Sequence, residues 1–368
     1  RNQVSGLSFW RAHGMKIVIA GGSGQLGQLL ADHFSKHDVV VLSRSGRSGK
    51  GRGVKWDASG RTLEGWLEEI DGADVLINMA GRIINCPTTD ANMKEIYWSR
   101  VDSTQALHKA IARCKHPPAI WLNSSTATIY AHTLDGPANN EITGVIGGFE
   151  RDAPLYWLYS VDVAKAWEAA FFATETPQTR QVALRSSFVV ETEPGGPFDT
   201  FYSAAVLGFG GRMGTGQQWT SWVHEKDFAR IVEFLIDHKE LSGVVNVCAP
   251  NPISQAEFMA TLRKKAGINY ALPMPTVLVS LFTFFNRSDP EIPMKSRRVV
   301  PQRLLDAGYE FVHPHWASAA EDSIRTWTAK GYTRSWFANT LKLTGDVVSR
   351  WCGNTGGSSA SRKCCAFR

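Results

Sequence analysis

Short apolar runs rich in β-branched residues alternate along this chain with longer segments whose apolar residues recur at helical spacing. The strands predicted from this pattern are Lys16–Ala20, Val39–Leu42, Val75–Asn78, Ile120–Asn123, Val182–Arg185 and Val244–Val247. The clearest predicted helices are Gln25–Lys36, Met93–Cys114 and Val161–Thr174. Strands that alternate with helices build parallel sheets through right-handed crossovers. We therefore predict an α/β protein with a doubly wound parallel sheet, the Rossmann fold.

The regular alternation weakens after Arg185, where Glu193-Pro-Gly-Gly-Pro predicts a loop and the stretch from Gly208 to Gly216 is rich in glycine. We expect the chain to leave the sheet there and form a lid, and a further helix is predicted over Ser254–Ala266. The predicted divisions are an extension outside the fold at 1–14, a cofactor domain at 15–250 with 186–223 partly lid, a small mixed C-terminal substrate lobe at 251–328, and a tail at 329–368. The tail is polar and rich in small residues, so we expect disorder there.

Composition narrows the class of protein. With 368 residues and 43% hydrophobic residues, the chain can fill the core of one large domain with an added lobe. Its net charge of +6 comes mostly from scattered basic residues, which argues against a nucleic-acid surface. The longest apolar candidate, Val277–Phe285, is too short to cross a membrane and predicts a buried or ligand-facing helix. The six cysteines show neither a CxxC pair nor metal-ligand spacing. No metal site is therefore predicted, and a cytoplasmic location is expected, with import into an organelle left open.

A glycine-rich turn, Gly21-x-x-Gly24-x-x-Gly27, follows the first predicted strand and precedes an amphipathic helix. A dinucleotide site needs glycine there because the turn is tight, because the backbone approaches the pyrophosphate closely, and because the helix packs on the strand. The helix N-terminus adds unpaired amides and the positive end of its dipole. The predicted cofactor residues of this segment are Gly21, Ser23, Gly24, Gln25, Leu26 and Gly27.

The second strand is followed by Ser43-Arg44, at the place where NAD-specific proteins carry an acid for the ribose 2′-hydroxyl. Serine and arginine can bind a 2′-phosphate instead, so NADP(H) is the predicted cofactor. The basic stretch Arg44-Ser-Gly-Arg47-Ser-Gly-Lys50-Gly-Arg52 either reinforces this contact or forms a solvated turn. Asp57, a little further on, either approaches the adenine or caps a turn.

Another strand ends in a hydroxyl-rich segment, Ser124-Ser125-Thr126. Ligands of open α/β sheets bind at the carboxyl ends of the strands, so these hydroxyls are placed to meet a substrate or the nicotinamide ribose. The alternative is that Ser124 and Ser125 only cap the turn that follows.

Several ordered motifs resemble those of one family. They are the glycine turn, Asn78-Met-Ala80-Gly81-Arg82, Ser124-Ser-Thr-Ala-Thr-Ile-Tyr130 and Ser221-Trp-Val-His224-x-x-Asp227. Together they resemble the extended short-chain dehydrogenase/reductases of the NAD-dependent epimerase/dehydratase superfamily. Further matches, among them Lys165-Ala-Trp167-Glu168 and Val300-Pro301-x-Arg303-Leu304, look like the subgroup called "epimerase family protein". That subgroup carries an extra C-terminal domain of unassigned function.

The resemblance implies roles for individual residues. Thr126 corresponds to the catalytic serine or threonine that hydrogen-bonds the substrate oxygen. Lys165 corresponds to the lysine that binds the nicotinamide ribose and lowers the pKa of a neighbouring tyrosine. Ala80, Gly81 and Ser124 are implied to line the cofactor.

The tyrosine of the superfamily's Tyr-x-x-x-Lys motif is missing, because Val161 stands four residues before Lys165. That tyrosine is the general acid/base, a role typically worth about 10²–10⁴ in rate. Tyr159 is a weak catalytic substitute, since a separation of six residues places it about 120° round the helix from Lys165. The other candidates for the role are Tyr130, Tyr156 and Asp162.

Two functions stay open at this point. The first is an NADP(H)-dependent oxidoreductase or epimerase acting on a small carbonyl, carbinol or sugar-like substrate. The second is an NADP(H)-binding protein with little or no turnover, serving as a structural ligand site or redox sensor, which the missing tyrosine favours. A small-molecule partner is expected, nucleic-acid and membrane partners are not, and an oligomer is compatible with the sequence.

Two further groups of residues have alternative interpretations. His224 and Asp227 are either an acid/base couple or, as the resemblance favours, fixtures that join the lid to the core. The basic residues of the C-terminal lobe either receive an anionic substrate or form a solvated face. These are Lys295, Arg297, Arg298 and Arg303.

Overall fold

The computed structural model describes residues 14–84, 86, 89–150, 153–285 and 291–332. Its strands are β1 (Lys16–Ala20), β2 (Asp38–Ser43), β3 (Arg52–Lys55), β4 (Val75–Asn78), β5 (Ile120–Thr126), β6 (Arg180–Ser186), β7 (Phe188–Val190), β8 (Trp219–Thr220), β9 (Trp222–His224), β10 (Gly243–Val247) and β11 (Ile253–Ser254). One seven-stranded parallel sheet runs in the order β10-β6-β5-β4-β1-β2-β3. The predicted doubly wound sheet is confirmed, and its order reverses direction between β1 and β4, where such folds bind ligands.

Helices connect the strands and build the lobe beside the sheet. They are α1 (Gln25–His33), α2 (Leu67–Ile70), α3 (Asp90–Ile111), α4 (Leu155–Phe172), α5 (Pro197–Ala204), α6 (Glu225–Asp237), α7 (Gln255–Lys265), α8 (Thr276–Phe285), α9 (Glu291–Met294), α10 (Gln302–Asp306) and α11 (Trp316–Ala329). The four predicted helices correspond to α1, α3, α4 and α7, and the differences lie at their ends. The end of α4 differs most, because it starts at Leu155, six residues before the predicted start at Val161.

The central strands are continuous runs of Val, Ile and Leu because helices cover both faces of the sheet. Alternate residues of β1 therefore enter different core layers. Ile19 packs in one layer with Leu30 of α1 and Phe228 of α6. Val18 packs in the other layer with Leu107 of α3. This layering holds the carboxyl ends of β1, β2, β4 and β5 in fixed positions at one edge.

A second apolar core lies beside the sheet and joins segments from both sides of the predicted boundary at residue 250. Phe258 of α7 stacks on Trp316 of α11, with ring centroids 4.1 Å apart. Trp222 of β9 also meets Trp316, at 5.2 Å between centroids. Phe198 of α5 contacts Trp327 in the same cluster. Two small ladders, β7 with β9 and β8 with β11, complete this lobe.

Two local features differ from the sequence prediction. The apolar helix α8 forms, but Val277 is 77% exposed and Leu278 is 45% exposed, so the start of the helix is not buried, and the ligand-facing alternative stays a prediction. The strand β3 was missed because its short sequence, Arg-Gly-Val-Lys, lies at the sheet edge with only a weak apolar signal. Within the described ranges no helix is long and apolar enough to cross a membrane. The predicted extension and tail fall outside the described residues, except for Gly14 and for residues 329–332.

Candidate cofactor and substrate site

The glycine turn between β1 and α1 brings three chain segments into close contact. Gly21 has a φ of 72°, and a Cβ added there would lie 2.5 Å from the Ala80 Cα. A Cβ at Gly27 would lie 2.4 Å from the Gly22 Cα. Both positions exclude larger side chains because backbone atoms, which cannot move aside, occupy the space.

Gly24 differs from these two glycines because open space surrounds it. A Cβ there would meet only the Gly21 carbonyl oxygen, at 3.7 Å. Gly24 is the N-cap of α1 and no side chain caps that helix, so its first-turn amides are left for a ligand. These features fit a dinucleotide pyrophosphate, which needs close backbone approach at this point.

The other predicted residues of the turn have different surroundings. Ser23 is exposed beside Gly24. Leu26 is partly buried and packs against the core of the sheet. Gln25 Nε2 donates to the Pro194 carbonyl oxygen at 3.1 Å, which ties the turn to the loop after β7. That contact brings the predicted lid segment over the glycine turn.

The carboxyl end of β2 presents one buried serine and one exposed arginine. Ser43 Oγ donates to the Arg47 carbonyl oxygen at 2.8 Å. Arg44 is exposed, and no described residue forms a hydrogen bond or ion pair with its guanidinium group. A cation held open at the end of the second strand is suited to a ribose 2′-phosphate.

Asp57 caps a turn. One carboxylate oxygen accepts from the amide and the hydroxyl of Ser59, at 3.0 and 2.6 Å. The other accepts from the amides of Arg61 and Thr62, at 2.9 and 3.1 Å. The Ser59 hydroxyl bond, more than any other contact, lowers the pKa of Asp57. The turn cap is therefore formed, and the adenine contact of Asp57 stays a prediction.

The segment after β4 is held under the glycine turn. Asn78 Oδ1 accepts from the Ala80 amide at 3.0 Å, and Asn78 Nδ2 donates to Asn123 Oδ1 at 2.7 Å. Gly81 lies against Arg100, since a Cβ there would be 3.3 Å from the Arg100 Cζ. Burial lowers the pKa of Arg100 to about 10, and its Nη1 donates to the Arg82 carbonyl. Ala80 and Gly81 therefore line the β1/β4 crevice.

The three hydroxyls at the end of β5 are not equivalent. Ser125 Oγ donates to Glu168 Oε1 at 2.6 Å and is buried. Ser124 Oγ contacts the Met79 sulfur at 3.0 Å. Thr126 Oγ1 accepts from the Thr128 amide at 3.2 Å, while none of the described residues accepts its hydroxyl proton. Thr126 is thus the one of the three with both partial exposure and a hydroxyl proton open to a ligand.

The residue facing Lys165 on α4 is apolar. Val161 precedes it by four residues, on the same helix face, and is 1% exposed. The Lys165 Nζ lies 4.8 Å from the centroid of the Phe149 ring. Val161, which stands where the motif places its tyrosine, has no group that can transfer a proton next to Lys165.

Two of the predicted substitutes, Tyr159 and Tyr130, are engaged by other groups. Tyr159 donates its hydroxyl hydrogen to the Met93 carbonyl oxygen on α3, and burial raises its pKa. The Tyr130 hydroxyl lies 2.9 Å from Asn246 Oδ1 and accepts from Arg185 Nη1 at 3.0 Å. Asp162 is exposed. The side chain of the remaining candidate, Tyr156, lies outside the described part of the chain.

The basic cluster of the C-terminal lobe divides into two pairs. Arg298 stacks on Trp219, with 4.1 Å from its Cζ to the ring centroid. Arg303 Nη1 donates to the carbonyl of Ser242. Both arginines are therefore engaged with aromatic or backbone groups, and their predicted role toward an anionic substrate stays a prediction.

Lys295 and Arg297 instead face the segment that follows Thr126. Lys295 Nζ donates to the Thr128 carbonyl at 3.2 Å, and Arg297 Nε donates to Thr128 Oγ1 at 3.2 Å. Glu291 Oε1 accepts from Ser160 at 2.7 Å and pairs with both cations. Burial, followed by the nearby Arg297 charge, lowers the pKa of Lys295 to about 8. Sequence analysis missed Ser160 and Glu291, since nothing local marks residues that are 131 positions apart.

His224 and Asp227 join the sheet to the C-terminal lobe. Asp227 accepts from the amides of Val312 and His313, both at 2.8 Å. His224 Nε2 lies 3.4 Å from Asp322 Oδ2. These contacts support the role of fixtures and leave no carboxylate of Asp227 available as a base.

His224, His313 and Asp322 also place metal-ligand atoms within 4.8 Å of one another. However, His224 Nδ1 accepts from the Lys226 amide, so the neutral ring carries its proton on Nε2, the atom a metal would need. Asp322 already pairs with Lys226 and Arg325. We therefore assign this cluster to the junction between sheet and lobe.

Comparisons with known proteins agree with this architecture. The sequence profile of the NAD dependent epimerase/dehydratase family matches residues 17–147, and a domain of unknown function (DUF1731) matches residues 287–323. The human epimerase family protein SDR39U1 is 30% identical over 318 residues, which are 84% of this chain and all of that protein. This chain belongs to the epimerase family. The Bacillus subtilis epimerase family protein YfhF, another member, is 27% identical over 307 residues, covering 81% of this chain and 94% of that protein.

Solved structures place this epimerase-family chain in the same fold. The crystal structure of human SDR39U1 (isoform 2) with NADPH matches with a TM-score of 0.72 and 27% identity, over 84% of this chain and 98% of that one. The Bordetella bronchiseptica enzyme WbmG in complex with NAD and UDP matches with a TM-score of 0.65 at 18% identity, over 87% of this chain and 97% of that one. At that identity the second likeness shows the fold alone. The family to which the chain belongs is thus one of NAD(P)-dependent proteins.

Proposed function

We propose that this epimerase-family protein binds NADP(H) and acts as an oxidoreductase or epimerase on a small carbonyl, carbinol or sugar-like substrate. The observation that carries the proposal is the opening above Gly24, with the unpartnered Arg44 at the end of the neighbouring strand. The first suits a pyrophosphate and the second a 2′-phosphate. The crystal structure of the human relative SDR39U1 with NADPH also supports NADP(H) as the cofactor.

In this proposal, different residues at the edge of the sheet bind the cofactor and orient the substrate. When bound, the nicotinamide supplies or accepts the hydride. Gly24 and the first-turn amides of α1 hold the pyrophosphate, and Arg44 holds the 2′-phosphate. Thr126 donates its hydroxyl hydrogen to the substrate oxygen, which stabilises negative charge as that charge develops. Lys165, on α4, is the residue that binds the nicotinamide ribose in this proposal.

A second function is favoured by one observation, the apolar Val161 next to Lys165. Since Tyr130 and Tyr159 are held by other groups, no described tyrosine is placed to move a proton beside Thr126. Without such a group, the expected rate falls by about 10²–10⁴. The alternative is therefore an NADP(H)-binding protein with little turnover, in which the cofactor is a structural ligand or a redox signal.

We further propose that the substrate is anionic and that Lys295 and Arg297 attract it through the positive charge that remains after pairing, since a single carboxylate, Glu291, pairs with both cations. Arg297 is the one of the two that contacts the anion, because the Lys295 side chain is only 1% exposed. Both cations lie against Thr128, two residues after Thr126. Arginine suits this task because its planar group binds carboxylate or phosphate through two hydrogen bonds. In this proposal Lys295 and Arg297, and not Arg298 and Arg303, attract the anionic group of the substrate.

The test is direct binding followed by turnover. Purified protein is titrated with NADPH and NADH, and nicotinamide absorbance is then followed with a panel of carbonyl compounds and nucleotide sugars. Arg44→Ala is expected to weaken NADPH by about tenfold or more and to leave NADH nearly unchanged. Equal losses for both cofactors would exclude 2′-phosphate recognition by Arg44. Tight NADPH binding without turnover on any compound would establish the second function instead.

A further inference from the structure

We propose that Arg47 is a second ligand of the adenosine 2′-phosphate, so that two guanidinium groups, those of Arg44 and Arg47, select NADP(H). The inference rests on the proposed NADP(H) function and deepens it. Its basis is a difference among the four basic residues from Arg44 to Arg52, which lie in the loop between β2 and β3 and at the first position of β3. Two of them are already paired, and two are open.

The paired residues are the last two of these four, Lys50 and Arg52. Lys50 Nζ lies 2.7 Å from Asp32 Oδ1 on α1. Arg52 forms a bidentate pair with Glu69, with N–O distances of 2.6 and 2.7 Å. The Glu69 bond is the largest cause that raises the pKa of Arg52. Neither cation is available to a phosphate without losing a carboxylate partner.

The open residues are the first two. Arg44 and Arg47 are exposed, and among the described residues no side chain or carbonyl pairs with either guanidinium group. No carboxylate therefore neutralises these two charges. Two free cations three residues apart suit a phosphate monoester, which carries between one and two negative charges near neutral pH.

The backbone of this turn is closed, so the two arginines are held near each other. Ser43, which is 3% exposed, donates from Oγ to the Arg47 carbonyl oxygen at 2.8 Å. The Gly46 amide donates to the Ser43 carbonyl at 3.2 Å, and Gly46 has a φ of 71°. The Arg47 amide donates to Ser45 Oγ at 3.2 Å. The loop thus folds back on the end of β2 instead of extending into solvent.

The same loop is docked on the helix that begins at the pyrophosphate turn. Gln28 Nε2 on α1 donates to Ser48 Oγ at 3.1 Å and also to the Gly22 carbonyl oxygen. Gly49 lies against the Gln28 side chain, since a Cβ there would be 2.7 Å from Gln28 Oε1. The loop is therefore positioned relative to the glycine turn. With a pyrophosphate bound at Gly24, the 2′-phosphate of the dinucleotide would be placed near the end of β2, where this loop begins.

The experiment compares ligands that differ only in the 2′-phosphate. Binding of adenosine 2′,5′-bisphosphate and 5′-AMP, and of NADPH and NADH, is measured by calorimetry for the parent, Arg44→Ala, Arg47→Ala, the double variant and Lys50→Ala. Lys50→Ala is the matched control, because it removes a cation of the same loop that is already paired. Thermal unfolding checks that each exposed substitution leaves stability within about 0.5 kcal/mol of the parent.

Arg47→Ala is expected to weaken the bisphosphate and NADPH by about tenfold, with 5′-AMP, NADH and the Lys50→Ala control changed by less than about twofold. The double variant should bind NADPH and NADH about equally. An Arg47→Ala protein that binds NADPH as the control does would overturn this inference alone, provided that Arg44→Ala still loses NADPH. Parallel losses of NADH and NADPH in Arg47→Ala would also overturn it. A parent protein with no preference for NADPH would overturn both this inference and the proposed cofactor.

Discussion

Glu168 on α4 receives two hydrogen bonds from Arg185 on β6, from Nε and Nη2, at 2.7 Å each. Both side chains are only about one tenth exposed. The same carboxylate accepts from Ser125, and Arg185 donates to Tyr130. This buried pair therefore fixes the end of β5, next to Thr126, against the helix that carries Lys165.

Removing the carboxylate of this pair should destabilise the protein strongly. Glu168→Ala leaves the Arg185 charge buried without a partner, which is expected to cost about 3–5 kcal/mol in the free energy of unfolding. Denaturant unfolding measures the change. Glu69→Ala, which breaks the more exposed pair with Arg52, should cost no more than about 1 kcal/mol and serves as the control. A loss at Glu168 as small as that of the control would show that the buried pair contributes little.

Substitutions of the three turn glycines should separate folding from cofactor binding. Gly24→Val is expected to abolish binding of NADPH and NADH while the protein stays folded, because Gly24 has a φ of −78° that valine adopts easily. Gly27→Ala should destabilise the fold itself, since its Cβ would meet the Gly22 backbone. Cofactor titration and thermal unfolding of both variants test this. Normal binding by a folded Gly24→Val protein would contradict the proposed pyrophosphate site.

Stability should fall in acid through the junction between sheet and lobe. Burial, then the neighbouring His313, lowers the pKa of His224 to about 3, although Asp322 acts in the opposite direction and Lys226 adds to the lowering. The folded state therefore keeps this ring neutral while the unfolded chain takes up a proton. The contribution is fully present above about pH 6.5 and is lost as the pH falls toward 3, by up to about 1.4 kcal/mol per pH unit.

The measurement for this prediction is the free energy of unfolding between pH 7.5 and about 5. His224→Asn removes the titrating ring and keeps an acceptor for the Lys226 amide, so its stability should depend less steeply on pH than that of the parent. Parallel pH curves for parent and variant would rule out His224 as the source.

The anion proposed at Lys295 and Arg297 gives a fourth expectation. Arg297→Gln should raise the KM for an anionic substrate, or weaken inhibition by inorganic phosphate, by about tenfold without altering NADPH affinity. Arg298→Ala is the control within the same cluster, since Arg298 stacks on Trp219 instead of facing Thr128. If phosphate inhibits both variants as strongly as it inhibits the parent, the basic residues of this cluster do not bind the substrate.

Local patterns in the sequence were sufficient for six of the seven strands of the sheet and for the glycine turn. Val, Ile and Leu runs marked the six predicted strands, and the spacing of Gly21, Gly24 and Gly27 marked the turn. These signals are local because side-chain periodicity and the steric demands of a turn are set by neighbouring residues. The missing tyrosine at Val161 was visible for the same reason, since its partner Lys165 is four residues away. Asp57 was less certain, because a turn cap and a ligand contact use the same carboxylate.

Only the tertiary structure could decide which distant side chains meet. It brings Lys295 to Thr128, 167 residues earlier, and sends Arg298 and Arg303 elsewhere, although all three basic residues belong to one short segment of sequence. It also distinguishes the paired Lys50 from the open Arg47 within a single loop. The sequence determines what each residue can bind and which regular element it favours. The order of the strands and the docking of the lobe determine whether a charge meets a carboxylate, a carbonyl or an open site, because such contacts form between segments that no local pattern connects.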